Sequence, residues 1–185
     1  MLAIDPFALQ SEFYAAANSL EKASFLELWP LPILWVVLPV YGRGQLMRAA
    51  KIPEAGEYYR ERLLDGQASQ ADAEPARPYL DRAASLQKPP ENPFPHMISV
   101  GRSESSDVVI ELRSVSELHA YFLRTEEGWR LTDWGSAHGS HVNGVPVPAR
   151  THVDLQSGDR ISFGPDFEAI FQEPRDLYEE LRQPG

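Results

Sequence analysis

Apolar residues recur at every third or fourth position near the amino terminus: Leu9, Phe13, Ala16 and Leu20. That spacing places them on one face of an amphipathic helix. Asp5 followed by Pro6 supplies its start, with the carboxylate as N-cap and the proline in the first helical position. A second start falls at Ser19 or at Ser24, where Ser24-Phe25-Leu26-Glu27 spells a capping box, and that helix must end before Pro30. The longest apolar run, Leu28 to Tyr41, holds Pro30, Pro32 and Pro39 and is shorter than the roughly 20 residues a membrane-crossing helix needs. It predicts a buried strand over 33–38; the alternative is an exposed partner-binding or membrane patch. Trp29, Trp35 and this run are too apolar to stay in water, so the amino-terminal segment is expected to pack on the rest. Pro53 opens a further helix over 54–64, ended by Asp65-Gly66. Residues 67–78 contain no large apolar side chain and read as a linker. A proline-rich stretch over 89–95 follows a short ambiguous segment.

Beyond it the period shortens. Strand-like runs at 97–100, 107–110, 119–123, 129–131, 160–163 and 167–171 alternate with glycine, serine and Asn-Gly turns, the pattern of a β-sandwich. Asn143-Gly144 between Val142 and Val145 predicts a two-residue hairpin turn, because a type I′ turn needs positive φ at both central positions. Gly128 and Gly158-Asp159 mark further turns. After Pro174 the helical period returns, with Leu177, Tyr178 and Leu181 on one face. The expected organisation is a helical extension plus linker over 1–78, a β domain over 79–173 and a short helix over 174–185.

The chain has 185 residues, 27 acidic and 17 basic, for a net charge of -10. Binding to a nucleic-acid backbone rests on massed Lys and Arg, so nucleic acid is not an expected partner. There is no cysteine, which removes disulfides and thiolate metal sites. The start, Met1-Leu2-Ala3-Ile4-Asp5-Pro6, lacks the basic region of a secretory signal. A cytoplasmic protein with no membrane partner is expected. Gly42-Arg43-Gly44 is too short for a phosphate-binding loop or dinucleotide fingerprint, and no cofactor is implied.

Polar loop motifs follow the apolar runs. They are Gly101-Arg102, Ser116-Glu117-Leu118-His119, Leu131-Thr132-Asp133-Trp134-Gly135-Ser136 and His138-Gly139-Ser140-His141-Val142-Asn143-Gly144. A small β domain would gather them at one rim, where an arginine, serines and glycine-exposed amides suit an oxyanion, above all a phosphate. With the later Leu155-x-x-Gly158-Asp159-x-Ile161-x-Phe163-Gly164, these motifs closely resemble the forkhead-associated (FHA) domain, over about residues 97 to 172.

The resemblance implies a mainly β fold: an FHA-type sandwich of about eleven strands, here with an amino-terminal helical extension and a short carboxy-terminal helix. It implies a non-catalytic module that recognises phosphothreonine peptides, an adaptor in Ser/Thr kinase signalling whose partners are phosphorylated proteins. Arg102 and Ser116 match the phosphate-binding positions, and a guanidinium is always charged and presents a fork of donors. Glu117, His138 and Ser140 fall where the peptide would lie. Gly101, His119, Gly139 and Asn143 match loop-bracing positions, His119 as a buried histidine that is not a phosphate ligand. Selection of phosphothreonine over phosphoserine is also implied.

Three residues depart from the pattern. Glu117 stands where the family often has Asn, Arg or Lys, and Ala137-His138 stands where it usually has Thr-Asn. A carboxylate near the phosphate costs on the order of 1 kcal/mol through water and would favour a basic residue in the ligand. His138 can donate and accept, and if protonated would favour the phosphate. Other readings follow from the same residues. Ser116, His119 and Asp133 could form a hydrolase triad, though no nucleophile elbow is present. His138 and His141 could belong to a metal site. A phosphate-independent interaction scaffold on an FHA fold is the alternative from a different class.

Overall fold

The computed structural model describes residues 7–37, 82–87, 94 and 96–182. The predicted helix over 54–64, the linker over 67–78 and most of the proline-rich 89–95 stretch lie outside the described residues. Twelve strands and three helices lie among them. In order these are β1 (Phe7–Leu9), α1 (Gln10–Ser19), α2 (Lys22–Leu28), β2 (Ile33–Val36), β3 (Arg82–Ser85), β4 (Met97–Gly101), β5 (Val108–Val109) and β6 (Ala120–Thr125). They continue with β7 (Gly128–Asp133), β8 (Ser140–Val142), β9 (Val145–Pro146), β10 (His152–Leu155), β11 (Arg160–Phe163), β12 (Phe167–Gln172) and α3 (Pro174–Arg182).

The strands form a seven-stranded sheet, β1-β3-β2-β12-β11-β8-β9, and a five-stranded sheet, β10-β7-β6-β4-β5. Among the described strands every pairing is antiparallel except β4 with β5. Between the sheets lies a core that includes Leu34, Val100, Phe122, Leu131, Ile161, Phe163 and Phe171. This is the mainly β sandwich that the alternation of the carboxy-terminal half predicts. The Asn143-Gly144 turn has φ of 52° and 77°, both positive as a type I′ turn requires.

β2 explains the apolar run. Leu34 and Val36 face the sandwich core, while Ile33 and Trp35 face the opposite side. There Phe13, Phe25, Leu177, Tyr178 and Leu181 of the three helices cover them. A strand buried on both faces reads as continuously apolar rather than alternating. The expected packing of the amino-terminal segment is thus a helical layer on the outer face of the larger sheet. Tyr178 ties its ends together, its hydroxyl donating to the Leu20 carbonyl at 3.1 Å. Lys22 pairs with Glu179 across the same layer.

The amino-terminal periodicity misplaced two starts. Helix α1 begins at Gln10, because 7–9 pair in register with Ala84, Ala83 and Arg82 as an edge strand. Its buried face is Phe13 and Ala17, and Leu9 is exposed. Helix α2 begins at Lys22 with Glu21 as N-cap, ahead of the Ser24 box. Two strands escaped the pattern. β3 is Arg-Ala-Ala-Ser, with no β-branched or aromatic residue, yet it sits between β1 and β2. β10 has one buried residue, Leu155, as an edge strand needs.

Register also places the loops. Ala120 lies opposite Val100 and Asp133, and Phe163 lies opposite Ser140 and Phe167. The chain therefore leaves β4, β7 and β11, and enters β6, β8 and β12, at one rim. β2 ends at this rim as well, since Val36 pairs with Ala169 and the Val37 amide donates to the Glu168 carbonyl at 2.8 Å.

Candidate functional site

The rim is built from two loops zipped backbone to backbone. Gly101, the last residue of β4, lies so close to the next loop that a Cβ there would sit 2.1 Å from the Glu117 carbonyl oxygen. The glycine is required by proximity rather than by its φ. The Arg102 amide donates to the Ser116 carbonyl at 2.8 Å, and the Ser103 amide to the Glu117 carbonyl at 3.1 Å. Arg102 is exposed. Its Nε donates to the Val115 carbonyl at 3.2 Å, which anchors the base of the guanidinium. This bond leaves the two terminal nitrogens of the fork at the surface.

Ser116 sits beside it on the facing loop, between β5 and β6. Its amide donates to His119 Nδ1 at 3.1 Å, and its Oγ accepts the Ala137 amide at 3.0 Å. With one bond accepted, the hydroxyl keeps its proton to donate. His119 is fully buried. Since Nδ1 accepts, the proton resides on Nε2, which donates to the Gly139 carbonyl at 3.1 Å. The imidazole thus links the Ser116 loop to the Gly139 loop. Burial depresses its pKa and keeps it neutral, outweighing the opposing pull of the Gly139 carbonyl and of Asp133, whose Oδ2 is 4.0 Å away.

Asp133 holds a third loop, between β7 and β8. Its Oδ1 accepts the amides of Gly135 and Ser136 at 2.7 and 2.8 Å. Its Oδ2 accepts the hydroxyls of Ser136 and Ser140 at 2.7 and 2.6 Å. Burial raises the pKa of this carboxyl, but the donors outweigh it and the net direction is downward. An aspartate that accepts amides two and three residues on is an Asx turn, and Asp133-Trp-Gly-Ser is a sequence signal for one. The sequence reading gave Asp133 only a role in a triad and missed this one. Gly164 was also missed as a brace: its amide donates to the Gly139 carbonyl at 2.9 Å, and at φ +64° it packs against the Ser114 backbone.

The structure thus brings Gly101, Arg102, Ser116, Glu117, His119, His138 and Gly139 to one rim. Glu117 and His138 are exposed there. Ser140, expected beside a peptide, is instead 1 % exposed with its hydroxyl on Asp133, so it is part of the brace. Asn143 lies at the other end of β8. There its side chain donates to Asp159 at 2.7 Å and accepts the Arg160 amide at 2.9 Å. It braces a different turn.

Ser116, His119 and Asp133 are neighbours, but not as a hydrolase triad. His119 Nδ1 is bonded to the Ser116 amide and Nε2 to a carbonyl, so neither ring nitrogen is bonded to the Ser116 hydroxyl. Among the described residues no group of three or more His, Asp or Glu side chains could hold a metal ion, His138 and His141 included. No described helix is long and apolar enough to cross a membrane.

Residues 98–164 match the family model of the FHA domain. An oxoglutarate dehydrogenase inhibitor from Corynebacterium diphtheriae is 35% identical over 75 residues, covering 40% of this chain and 50% of that protein. The inhibitor of the same description from Corynebacterium glutamicum is 34% identical over 73 residues, 40% of this chain and 48% of that protein. The chain therefore spans about half the length of the curated relatives it matches. One similar solved structure belongs to a study of phosphothreonine-dependent FHA domain interactions, with 24% identity, a TM-score of 0.42 and coverage of 50% of this chain and 85% of that one. Another is the N-terminal FHA domain of S. cerevisiae Rad53p in complex with a phosphothreonine peptide, with 22% identity, a TM-score of 0.41 and coverage of 48% and 81%. The family model begins in β4 and ends just after β11, so it takes in every loop of the zipped rim, and residues 98–164 of this chain are an FHA domain.

Proposed function

We propose that this chain is a phosphothreonine-peptide recognition module that acts as an adaptor in Ser/Thr kinase signalling. The observation that carries the reading is the pairing of Arg102 with Ser116 on one loop junction. An anchored guanidinium presents its terminal donors beside a hydroxyl whose proton is free to donate. That combination suits the dianionic phosphate of a phosphorylated side chain. His119, Gly139 and Asp133 hold the two loops without contacting the ligand, so the donors are in place before binding and little ordering cost remains. Glu117 and His138 flank the anion and act on the residues around it. On this reading the activity is binding rather than bond making.

The relatives described as inhibitors of oxoglutarate dehydrogenase support a protein that works by engaging another protein. The partner of this chain is a phosphorylated protein, and its site of action is the cytoplasm, where Ser/Thr kinases supply the phosphate. Neither nucleic acid nor a membrane is part of the reading.

Calorimetric titration with one peptide sequence in phosphothreonine, phosphoserine and unmodified forms tests this. The phosphothreonine form is expected to bind most tightly, and Arg102→Ala to lose about 100-fold, the worth of a charge-assisted bidentate contact. The rival reading, a phosphate-independent scaffold, draws on Glu117 and on Ala137, which offers no hydroxyl to the rim. Equal affinity for the phosphorylated and unmodified forms would establish the rival.

A further inference from the structure

The turn that follows Arg102 carries the hydroxyls of Ser103, Ser105 and Ser106, and they are not equivalent. The Ser106 amide donates to the Ser103 carbonyl at 2.9 Å and closes a tight turn. Ser103 and Ser106 are half-buried and hold the rim together. The Ser103 amide donates to the Glu117 carbonyl at 3.1 Å, and the Ser106 hydroxyl donates to the same oxygen at 3.3 Å. Ser105 is exposed at the tip. Its Oγ lies 2.9 Å from the Ser103 Oγ, a contact that a phosphate oxygen can take over by accepting from Ser103. Arg102 is the one Arg or Lys between residues 96 and 112. The chain from Arg102 to Ser105 spans at most about 10 Å, so the Ser105 side chain and the surface nitrogens of the long Arg102 side chain are within reach of one another. The exposed Glu104 and Glu117 repel a dianion on this tip, which leaves Arg102 as the group that neutralises it.

We propose that Ser105 is a phosphorylation site whose phosphate folds onto Arg102 and closes the rim to its ligand. The closing of the rim rests on the phosphopeptide reading above and adds the regulation of that site. A Ser/Thr kinase moves the γ-phosphoryl group of a nucleoside triphosphate onto Ser105 Oγ. The new O–P bond forms as the bond to the β-phosphate oxygen breaks, and the hydroxyl proton passes to the kinase's base. The product carries a charge of about -1.5 to -2 and oxygens that accept the guanidinium's fork of donors. Held in cis, it competes at the effective concentration of a short tether, on the order of millimolar. A phosphopeptide must displace it, and the two phosphates repel each other through water. The unmodified Ser105 hydroxyl faces only a second hydroxyl at the tip, so its removal leaves the zipped loops as they are.

The test uses the full chain with phosphoserine placed at position 105 during translation, beside wild type and Ser105→Ala, each checked for a cooperative thermal melt. Calorimetric titration with one phosphothreonine peptide is expected to give wild-type affinity for Ser105→Ala and about tenfold weaker binding for the phosphorylated chain. That loss is expected to shrink between about 50 and about 500 mM salt, as an electrostatic competition must and a damaged loop does not. Phosphorus NMR supplies a reading that does not depend on the peptide. The Ser105 phosphate is expected to titrate at lower pH in the otherwise wild-type chain than in Arg102→Ala, because the guanidinium favours the dianion. Wild type incubated with purified Ser/Thr kinases and ATP, then mapped by mass spectrometry, is expected to carry phosphate on Ser105. Unchanged peptide affinity in the phosphorylated chain, a phosphorus titration indifferent to Arg102→Ala, or no kinase product at Ser105 overturns the proposal. A wild type that binds no phosphothreonine peptide, with the Arg102-dependent titration still present, overturns the phosphopeptide reading and leaves the contact between Ser105 phosphate and Arg102 in place.

Discussion

The Ser116 hydroxyl accepts the Ala137 amide hydrogen at 3.0 Å, joining the β5–β6 and β7–β8 loops through the atom proposed to meet the phosphate. Ser116→Ala removes both the acceptor and the donor. Ala137 is exposed, so water replaces its lost partner and the fold is expected to lose less than about 1 kcal/mol. Binding is expected to fall further, by about 10- to 100-fold, because a hydrogen bond to a dianion is worth about 1.5–3 kcal/mol. Urea midpoints and calorimetric affinities of the same preparation separate the two effects. A stability loss that matches the affinity loss would make Ser116 a loop brace only.

His119 and Asp133 give the protein two acid-sensitive windows. Burial lowers the folded pKa of His119 below its ordinary 6.5, so the unfolded chain takes up a proton there first. Stability is complete above about pH 6.5 and falls as pH drops below it, by at most about 1.4 kcal/mol per pH unit for one group. Asp133, lowered from 3.8, acts further down: the folded carboxylate stays ionised while the unfolded one protonates, so its share is lost as pH falls below about 4. Urea unfolding at pH 7.5, 6.5 and 5.5 is expected to show declining midpoints. His119→Asn is expected to be less stable at pH 7.5 and to show a flatter decline. A wild-type midpoint that rises on acidification from 7.5 to 5.5 would contradict the buried neutral imidazole.

Gly101→Ala drives a methyl group into the Glu117 carbonyl, 2.1 Å away. Backbone cannot retreat as a side chain can, so the loops must part. The expected cost is about 3 kcal/mol, at the upper end for overpacking, with loss of phosphopeptide binding even at temperatures where the variant stays folded. Thermal melts and titration of this one variant check both claims. Full retention of affinity would show that the zipped loops do not position Arg102.

A fragment of residues 79–185 lacks β2, which lies between β12 and β3 in the larger sheet. Its loss exposes the β12 edge and uncovers Leu177, Tyr178 and Leu181. The fragment is expected to be unfolded or aggregated, whereas one beginning at residue 7 is expected to melt cooperatively. Circular dichroism and size-exclusion chromatography distinguish the outcomes. A monomeric, cooperatively melting 79–185 fragment would restore the boundary that composition alone places at residue 78.

The legible part of this fold is the part with a local signal. Asn143-Gly144 announces its own turn, and 160–163 alternate as a half-buried strand should. β3 carries no such signal, because Ala83 and Ala84 are buried by what packs on them rather than by their own apolar area. The same division runs through the site. Arg102, Ser116 and His119 were readable as types at known spacing. Ser140 was misjudged because a hydroxyl beside the rim and one beneath it look alike in sequence. Its bond to Asp133 depends on the Asx turn that brings residues 133 and 140 together. The contact of the Arg150 guanidinium with the Trp134 ring was invisible for a similar reason, since Arg150 reaches it only through the pairing of β10 with β7.

The helical layer bears on how this chain is made. The Tyr178 hydroxyl and the Leu20 carbonyl it meets are 158 residues apart, and β2, which pairs with β3 along one edge, waits for β12 along the other. At about 5–20 residues per second, roughly 8 to 30 seconds of synthesis separate the two. Through that interval Ile33, Leu34, Trp35 and Val36 emerge with their β12 edge still unpaired. The seven-stranded sheet is therefore completed only after Gln172 clears the ribosome, in a non-local step on the millisecond-to-second scale of β topologies. Until then the nascent chain presents an apolar strand of the kind that chaperones bind.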